Sequence, residues 1–250
     1  MVWRTRCLTV VEMNPRYETA LAALSGGPFA IGDGDGMTDK EMVMHSCRAD
    51  GVILRTSTQL AMMDAGLREG FQSLQEFDVW SAATVLGGEQ RWTFVLSTFL
   101  PRAVELTPAD LGYGPHAELL AWDKWSSLDA PSAHGGQLRV VSAEAPLSLR
   151  ACPHLDNPRN KNWIYTVVAP RACPACWTLL GELNKVASVS GVRFEAVAAS
   201  TMALTVRGVG VAGEVLSLGA VPPGTAGAPP RLAVASVTVG TSGVFSYTWR

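Results

Sequence analysis

The spacing of hydrophobic residues changes near residue 75, and the change predicts two kinds of secondary structure in one chain. Before it, Tyr17, Leu21 and Leu24 recur at the spacing of one helix face. After it, apolar and polar residues alternate, as in the segment 92–96, and alternation is typical of strands. The sequence therefore predicts a helical first part and a β-rich second part.

Helix ends in the first part are marked by capping residues. One helix is predicted to begin at Pro15, with Asn14 as its N-cap, and to end at Gly26-Gly27. A second helix is predicted to begin at a capping box in which Thr38 is the N-cap and Glu41 follows three residues later.

A short apolar run lies between the two helices. Pro28–Ile31 is predicted to be a buried strand, and it ends in the polar turn Gly32-Asp33-Gly34-Asp35-Gly36. Asp50-Gly51 is predicted to end the second helix. Helix, strand, polar turn and helix in this order indicate one layer of parallel α/β structure.

The second part contains about ten short strands separated by Gly, Pro and Asn turns, a pattern typical of an antiparallel sandwich. Gly87-Gly88 is predicted to close a hairpin between Val79–Leu86 and the strand that contains Trp92. The remaining predicted strands are Ala103–Leu106, Ala117–Trp122, Leu138–Ser142, Trp163–Ala169, Thr178–Leu183, Phe194–Val197, Met202–Val206, Gly213–Leu218, Leu232–Val239 and the final alternating run Phe245–Trp249.

Composition and charge exclude several classes of function. The 250 residues are 48% hydrophobic and 17% charged, which indicates a globular protein. A formal net charge of −2, without a run of Lys or Arg, argues against nucleic-acid binding. No apolar stretch approaches the roughly 18 to 20 residues of a membrane span, so no membrane association is expected. The first residues do not resemble a signal peptide, which favours a cytoplasmic location.

Five cysteines in a chain of this length do not suggest a disulfide framework, and reduced thiols are expected. Cys173 and Cys176 form a C-x-x-C motif, to which Cys152 and His154 could add two further zinc ligands. Three interpretations stay open: an inert pair, which we favour, a zinc site and a redox pair. We therefore expect no metal and no cofactor.

The turn that contains Asp33 and Asp35 is the first candidate site. It fails the calcium-loop pattern of an EF-hand, and no glycine-rich phosphate loop is present. Residues just past the carboxyl end of a strand line the ligand site in parallel α/β folds, and Asp33 occupies that position. The alternative is a structural turn in which one of the two carboxylates caps the next helix.

Trp122 and Trp125 are the second candidate site, because two closely spaced indole rings could form a platform on which sugar rings stack. The alternative is that both rings pack in and around the core. The four histidines show no metal-binding spacing, and no G-x-S-x-G motif is present. No catalytic residue is assigned, and Asp33, Asp35, Trp122 and Trp125 are the predicted substrate-binding residues.

Several segments carry a resemblance to a known family. The segment S-G-G-P-F-A-I-G-D, residues 25–33, resembles the last barrel strand of glycoside hydrolase family 36, which includes α-galactosidases, raffinose synthases and seed-imbibition proteins. Shorter segments that are similar to motifs of that family are Arg48–Leu54, Asp78–Trp80, Leu106–Leu111, Tyr165–Pro170 and Leu179–Leu183.

The resemblance implies a fold and a division of the chain. Residues 1–74 are expected to be the last α/β unit of a truncated (β/α)8 barrel, and residues 75–250 a β-sandwich domain. In the family this strand ends in the pair S-D, and this sequence has Gly32-Asp33 at the corresponding position. In the family, the two reacting carboxylates lie in motifs on earlier barrel strands, and neither motif is present in this sequence. The segment Trp122–Trp125 is not the K-W-D motif of the nucleophile, because its residue order differs and it lies in the predicted sandwich.

The resemblance also implies a function. The chain is expected to be a carboxy-terminal part of a retaining glycosidase or galactosyltransferase, inactive alone because that reaction needs two carboxylates. The expected partners are a galactoside-type carbohydrate and an upstream barrel, or a second copy of the chain. The alternative is a non-catalytic β-sandwich module that binds carbohydrate or a protein.

Overall fold

The structure, a computed structural model, describes residues 14–27, 35–73, 78–128, 136–152, 162–224 and 228–250. Three helices are present in these segments: α1 (Pro15–Leu24), α2 (Lys40–Met44) and α3 (Asp64–Ser73). The fourteen strands are β1 (Ala61–Met62), β2 (Asp78–Leu86), β3 (Gln90–Thr98), β4 (Val104–Leu106), β5 (Leu119–Ser126), β6 (Leu138–Val141), β7 (Leu147–Leu149), β8 (Trp163–Pro170), β9 (Thr178–Glu182), β10 (Phe194–Ala199), β11 (Leu204–Val209), β12 (Val215–Val221), β13 (Ala233–Thr238) and β14 (Val244–Trp249).

The strands form four sheets with antiparallel pairing throughout. The largest has six strands in the order β1-β2-β3-β8-β5-β6. Two three-stranded sheets have the orders β10-β11-β14 and β13-β12-β9, and β4 pairs with β7 alone. The protein is therefore mainly β with several packed sheets, as the alternating pattern predicts.

The six-stranded sheet is apolar on both faces. On one face Phe94 and Tyr165 belong to a large core that includes side chains from the two three-stranded sheets. On the other face Val95 and Val168 belong to a smaller core with the β4–β7 pair. Because successive residues of a strand point to opposite faces, the same strands supply both cores.

Helix α1 packs into the larger core. Ala20 and Leu24 are fully buried there, and the Tyr17 ring lies 5.8 Å from the Trp163 ring between centroids. The core thus contains side chains from both sides of the boundary expected between residues 74 and 75, and that domain boundary stays a prediction. No helix of the described segments is long and apolar enough to cross a membrane.

The first predicted helix is confirmed, and the second is placed wrongly at both ends. The N-cap of α2 is Asp39, not Thr38, and its carboxylate accepts the Met42 N–H at 3.1 Å. The helix ends at Met44, well before Asp50-Gly51. At this end Lys185, from a distant loop, donates to the carbonyls of Met44 and Cys47. Asp50-Gly51 instead forms a tight turn, in which Gly51 has a φ of +83°.

The predicted strands of the second part are confirmed, including the Gly87-Gly88 hairpin, in which Ala82 lies opposite Phe94. The elements that the pattern misses are β1, α3 and β7. The strands β1 and β7 have two and three residues, too few to show alternation. The predicted strand Pro28–Ile31 lies outside the described residues.

Gly181 occupies a tight position in β9. Its φ is +94°, and a Cβ atom there would lie closer than 3.0 Å to the backbone carbonyl of Ser188. This backbone carbonyl belongs to the loop that carries the buried residues Lys185 and Arg193, so the close approach fixes that loop against the strand.

We expect Gly181→Ala to lower the free energy of unfolding by about 3 kcal/mol, because the methyl group forces strand and loop apart. Gly213→Ala is the matched control: its φ is +81°, and no described atom lies within 4 Å of the added Cβ. The control should lose only about 1 kcal/mol, from backbone conformation alone. Urea titration measures both values, and equal losses would contradict the steric explanation.

Candidate functional site

A bulge in β5 brings both predicted tryptophans to one face of the large sheet. Asp123 pairs with Thr166 and Trp125 with Tyr165, so Lys124 is an extra residue in the strand. A bulge of this kind shifts the alternation by one residue. Trp122 and Trp125 consequently both contact the larger core, whereas regular pleating would separate them.

Lys124 is buried between the two rings and is only 2% exposed. Its Nζ lies 5.1 Å from the Trp122 ring centroid and 5.4 Å from the Trp125 ring centroid. Nζ also donates to the backbone carbonyls of Glu182, at 3.2 Å, and Lys185. Burial lowers the pKa of Lys124 to about 7, although the Glu182 carboxylate opposes the change. A neutral amine keeps two hydrogens, enough for both carbonyls.

Asp123 precedes the bulge and faces the opposite side of the sheet from Trp122, as the regular alternation of a strand requires. Its carboxylate accepts hydrogen bonds from the Arg139 guanidinium at 2.6 Å and the Thr166 hydroxyl at 2.8 Å. The Trp-Asp-Lys-Trp segment therefore divides its charges between two environments, and neither charge is left in solvent.

The loop after β9 binds the segment that follows α2. Lys185 Nζ donates to the carbonyls of Met44 and Cys47, each at 2.7 Å. The lysine thereby satisfies carbonyl groups at the end of the helix, where an intrahelical partner is missing. The Val186 N–H donates to the His45 carbonyl at 2.8 Å, so backbone and side chain hold the two segments together.

His45 lies at the edge of the tryptophan pair. Its ring centroid is 5.2 Å from that of Trp125, and its Nδ1 lies 2.5 Å from the carbonyl oxygen of Asn184. Burial lowers the pKa of His45, which favours the neutral ring. Since a carbonyl only accepts, the proton resides on Nδ1. Nε2 is buried and has no hydrogen-bond partner among the described residues.

Arg193 is the centre of a second set of buried charges and is 0% exposed. Its Nε donates to Glu182 at 3.1 Å, and its two terminal nitrogens bind the two oxygens of Glu214 at 2.8 and 2.7 Å. Glu214 also accepts the N–H groups of Ala49, at 3.0 Å, and Val211, at 3.1 Å. The network therefore joins β9, the loop before β12 and the amino-terminal segment.

The two carboxylates have opposite pKa shifts. Burial raises the pKa of Glu182, with Arg193 partly compensating. Burial also raises the pKa of Glu214, but the hydrogen bonds from Arg193 and from Val211 N–H outweigh this effect and hold the pKa of Glu214 at about 2. Opposed shifts are what an acid and a nucleophile of a glycosidase need. Here, however, one guanidinium binds both carboxylates and both are shielded from solvent, so a sugar has no access and the pair is structural.

An open groove of about 960 Å³ lies on the protein surface, away from these charges. Glu118 and Arg171 line it and form an ion pair. Its other lining residues include Pro174, Ala175 and Arg231. The groove thus offers backbone and charged groups, and its lining in the described part of the chain contains no aromatic ring.

The expectation of reduced cysteines is wrong for one pair. Cys173 and Cys176 form a disulfide with a Cα–Cα distance of 5.0 Å, which the short turn between them permits. Cys47 and Cys152 are free and buried. In this state Cys173 and Cys176 offer no thiolate to zinc, and His154 lies outside the described residues. The described part of the chain contains no group of three or more metal-binding side chains.

Of the four predicted substrate-binding residues, the structure describes Asp35, Trp122 and Trp125. Asp33 lies outside the described residues, and Asp35 is exposed in a turn. Trp122 is only 1% exposed, so it offers no ring face to a sugar, and the predicted platform of two stacking tryptophans is wrong for this residue. Trp125 is half-buried, and the Arg16 guanidinium lies 5.9 Å from its ring centroid.

Comparison of the chain with protein-family models and with curated proteins found no match.

We expect the stability of the protein to rise with pH relative to that of Lys124→Met. The pKa of Lys124 falls from 10.5 to about 7 on folding, so between these values the unfolded chain binds more protons. Stability then increases with pH over this window, by up to about 1.4 kcal/mol per pH unit. Urea titrations of both proteins from pH 7 to pH 10 measure the difference, since the other groups cancel. A difference that is constant with pH would contradict the buried, proton-releasing lysine.

We expect Glu214→Gln to lower the free energy of unfolding at pH 7 by about 3 kcal/mol, because it removes one charge of a buried, hydrogen-bonded pair. The folded pKa lies below the ordinary 4.5, so this contribution is present above pH 4.5 and disappears as pH falls toward 2. Glu195→Gln is the control, since its ion pair with Arg207 is exposed and should contribute little. Similar losses in the two variants would show that Glu214 is not part of a buried network.

Proposed function

We propose that the chain is the β-sandwich part of a carbohydrate-active enzyme that resembles glycoside hydrolase family 36. In this proposal residues 1–74 are the last α/β unit of a truncated (β/α)8 barrel, and the sandwich stabilises that unit. The bond-breaking carboxylates belong to barrel strands that are not part of this sequence. The chain then contributes to hydrolysis or galactosyl transfer without performing it alone.

The main support is the way in which sandwich side chains bind the segment 44–55. Lys185 binds two carbonyls of this segment, Glu214 accepts the Ala49 N–H, and the Ser190 hydroxyl donates to the Arg55 carbonyl at 2.7 Å. In the other direction, the Arg48 guanidinium donates to the Val192 carbonyl at 3.3 Å. A sandwich that holds such a segment through five hydrogen bonds, of which the one from Lys185 to the Cys47 carbonyl is buried, has the properties of a scaffold.

The chemistry of the described carboxylates supports the absence of turnover. Retaining hydrolysis needs two carboxyl groups about 5 Å apart on either side of the scissile bond. Glu182 and Glu214 are occupied by Arg193, and Asp123 by Arg139 and Thr166. These three carboxylates are therefore committed to the fold.

We expect the purified chain not to hydrolyse 4-nitrophenyl α-galactoside, because the proposal places both reacting carboxylates outside this chain. Released nitrophenol is measured against a buffer blank and a complete α-galactosidase as the positive control. Turnover that Asp33→Asn abolishes would overturn the proposal, since it would place a reacting carboxylate within this chain. The DNA upstream of the Met1 codon gives a second test: barrel strands with both carboxylate motifs should be encoded there.

A second candidate function is a non-catalytic module that binds a carbohydrate or a protein partner. The observation that favours it is the groove beside Glu118 and Arg171, which is large enough for a small ligand. Deleting residues 1–75 is not a suitable test, because Ala20 and Leu24 are fully buried in the common core and their loss would unfold the protein.

Binding measurements on the full-length chain and on two variants distinguish the two functions. Binding of galactose, raffinose or a glucose control is measured by saturation-transfer NMR for the wild type, Glu118→Gln and Asp33→Asn. Loss of binding in Glu118→Gln favours the groove module, whereas loss only in Asp33→Asn favours the barrel-derived site. No binding of galactosides by the wild type removes the module as a carbohydrate binder.

A further inference from the structure

The Cys173–Cys176 disulfide lies where the chain passes from one sheet to another. Strand β8 of the six-stranded sheet ends at Pro170, and strand β9 of a three-stranded sheet begins at Thr178. Between them the four residues Cys-Pro-Ala-Cys form a turn, closed by a hydrogen bond from the Cys176 N–H to the Cys173 carbonyl at 2.9 Å. The disulfide is a second link between the same two residues of the turn.

The two sulfur-bearing residues differ in accessibility. Cys176 is only 7% exposed, and the next residue, Trp177, is fixed by its ring contact with Trp249 and by a hydrogen bond from its N–H to the Ser200 carbonyl at 3.0 Å. Cys173 is partly exposed and follows the exposed residue Ala172. An external thiolate therefore reaches Cys173 far more easily than Cys176.

The disulfide turn also forms one wall of the groove. Pro174 and Ala175, inside the turn, line the groove together with Arg171 and Glu118. The Arg171 guanidinium binds the Pro174 carbonyl with one nitrogen and the Glu118 carboxylate with another. The position of the turn is thus coupled to the charged pair beside it.

A purely stabilising role is a poor explanation for this disulfide. A disulfide stabilises a protein mainly by restricting the unfolded chain, and the effect grows with the length of the loop that it closes. Here the sequence separation is three residues, so little chain entropy is removed. Strand β9 is in addition held by its pairing with β12.

We propose that Cys173 and Cys176 are a redox-active pair that exchanges with an external dithiol and thereby sets the position of the groove wall. A thiolate of the reductant attacks Cys173 Sγ, the Cys173–Cys176 bond breaks, and Cys176 leaves as a thiolate that takes up a proton. The second thiol of the reductant then attacks the mixed disulfide, which releases the Cys173 thiolate and leaves the reductant as its disulfide. Two electrons pass to the protein pair, and the turn is then held by its backbone hydrogen bond and by the Arg171 contact with the Pro174 carbonyl.

The first experiment measures reduction of the folded protein. The chain carries Cys7→Ser, so that the remaining free cysteines are the buried Cys47 and Cys152. It is incubated with dithiothreitol in buffer, labelled with N-ethylmaleimide and analysed by peptide mass. We expect a label on Cys173, the accessible cysteine of the pair, with an unchanged far-ultraviolet circular dichroism spectrum. Labelling only after addition of urea, or a loss of secondary structure on reduction, would show a structural disulfide and overturn the proposal.

The second experiment tests the direction of attack with single-cysteine variants in the same background. Cys176→Ser retains the accessible cysteine, and Cys173→Ser retains the buried one. We expect the first variant to react with 5,5′-dithiobis(2-nitrobenzoic acid) at least about tenfold faster, because access controls thiol exchange. Equal or reversed rates would contradict the assignment of Cys173 as the attacked sulfur.

The third experiment follows the groove wall by hydrogen exchange. Reduction should accelerate exchange of the Cys176 amide and leave that of Trp177, which is bonded to Ser200, unchanged. Identical exchange of the turn in both redox states would refute the coupling to the groove. These outcomes do not depend on glycoside chemistry, so they are separate from the tests of the proposed function.

Discussion

The arrangement of the sheets depends on Arg193, a fully buried guanidinium that is fully charged at every physiological pH. Transferring such a group from water is unfavourable by several kcal/mol, roughly, unless its donors are satisfied. Glu182 comes from β9 and Glu214 from the loop before β12, and Glu214 in turn accepts the backbone N–H of Ala49. The charge is therefore compensated only when β9 and the loop before β12 are both in place. Through Glu214 the same network also holds the amino-terminal segment at Ala49.

The bulge at Lys124 performs a related function in the large sheet. One extra residue places two indole rings on the same face and directs the Lys124 amino group between them. Lys124 contacts the same loop that carries Lys185, and Lys185 in turn donates to the last carbonyl of helix α2. Two buried lysines thus connect the sheet, the loop and the helical segment. Such polar connections specify one arrangement of the layers, which apolar contacts alone define less sharply.

The sequence predicts the elements well and the site poorly, for physical reasons. Alternation identifies the strands of the sandwich because each has a buried face, and the Asn-Pro and Gly-Gly signals identify α1. The last carbonyl of α2 accepts a hydrogen bond from Lys185, 141 residues away, and no local sequence pattern predicts that contact. Trp122 and Trp125 are singled out correctly as a pair, but the bulge that turns them inward has no signature in Trp-Asp-Lys-Trp. Lysine, glutamate and arginine are ordinarily surface residues, so their burial is visible only once their partners are known.

The outer strands of the six-stranded sheet determine how the protein can meet other chains. In the described structure these are β1 and β6, with two and four residues. A long open edge is a template for pairing with a strand of another molecule, and short edge strands are a common protection against aggregation. Few backbone groups are available here for continuing the sheet into a neighbour. Recognition of a partner by this sheet must therefore rely on side chains and surface shape. Copies of the protein are not expected to form fibres by pairing the edges of this sheet.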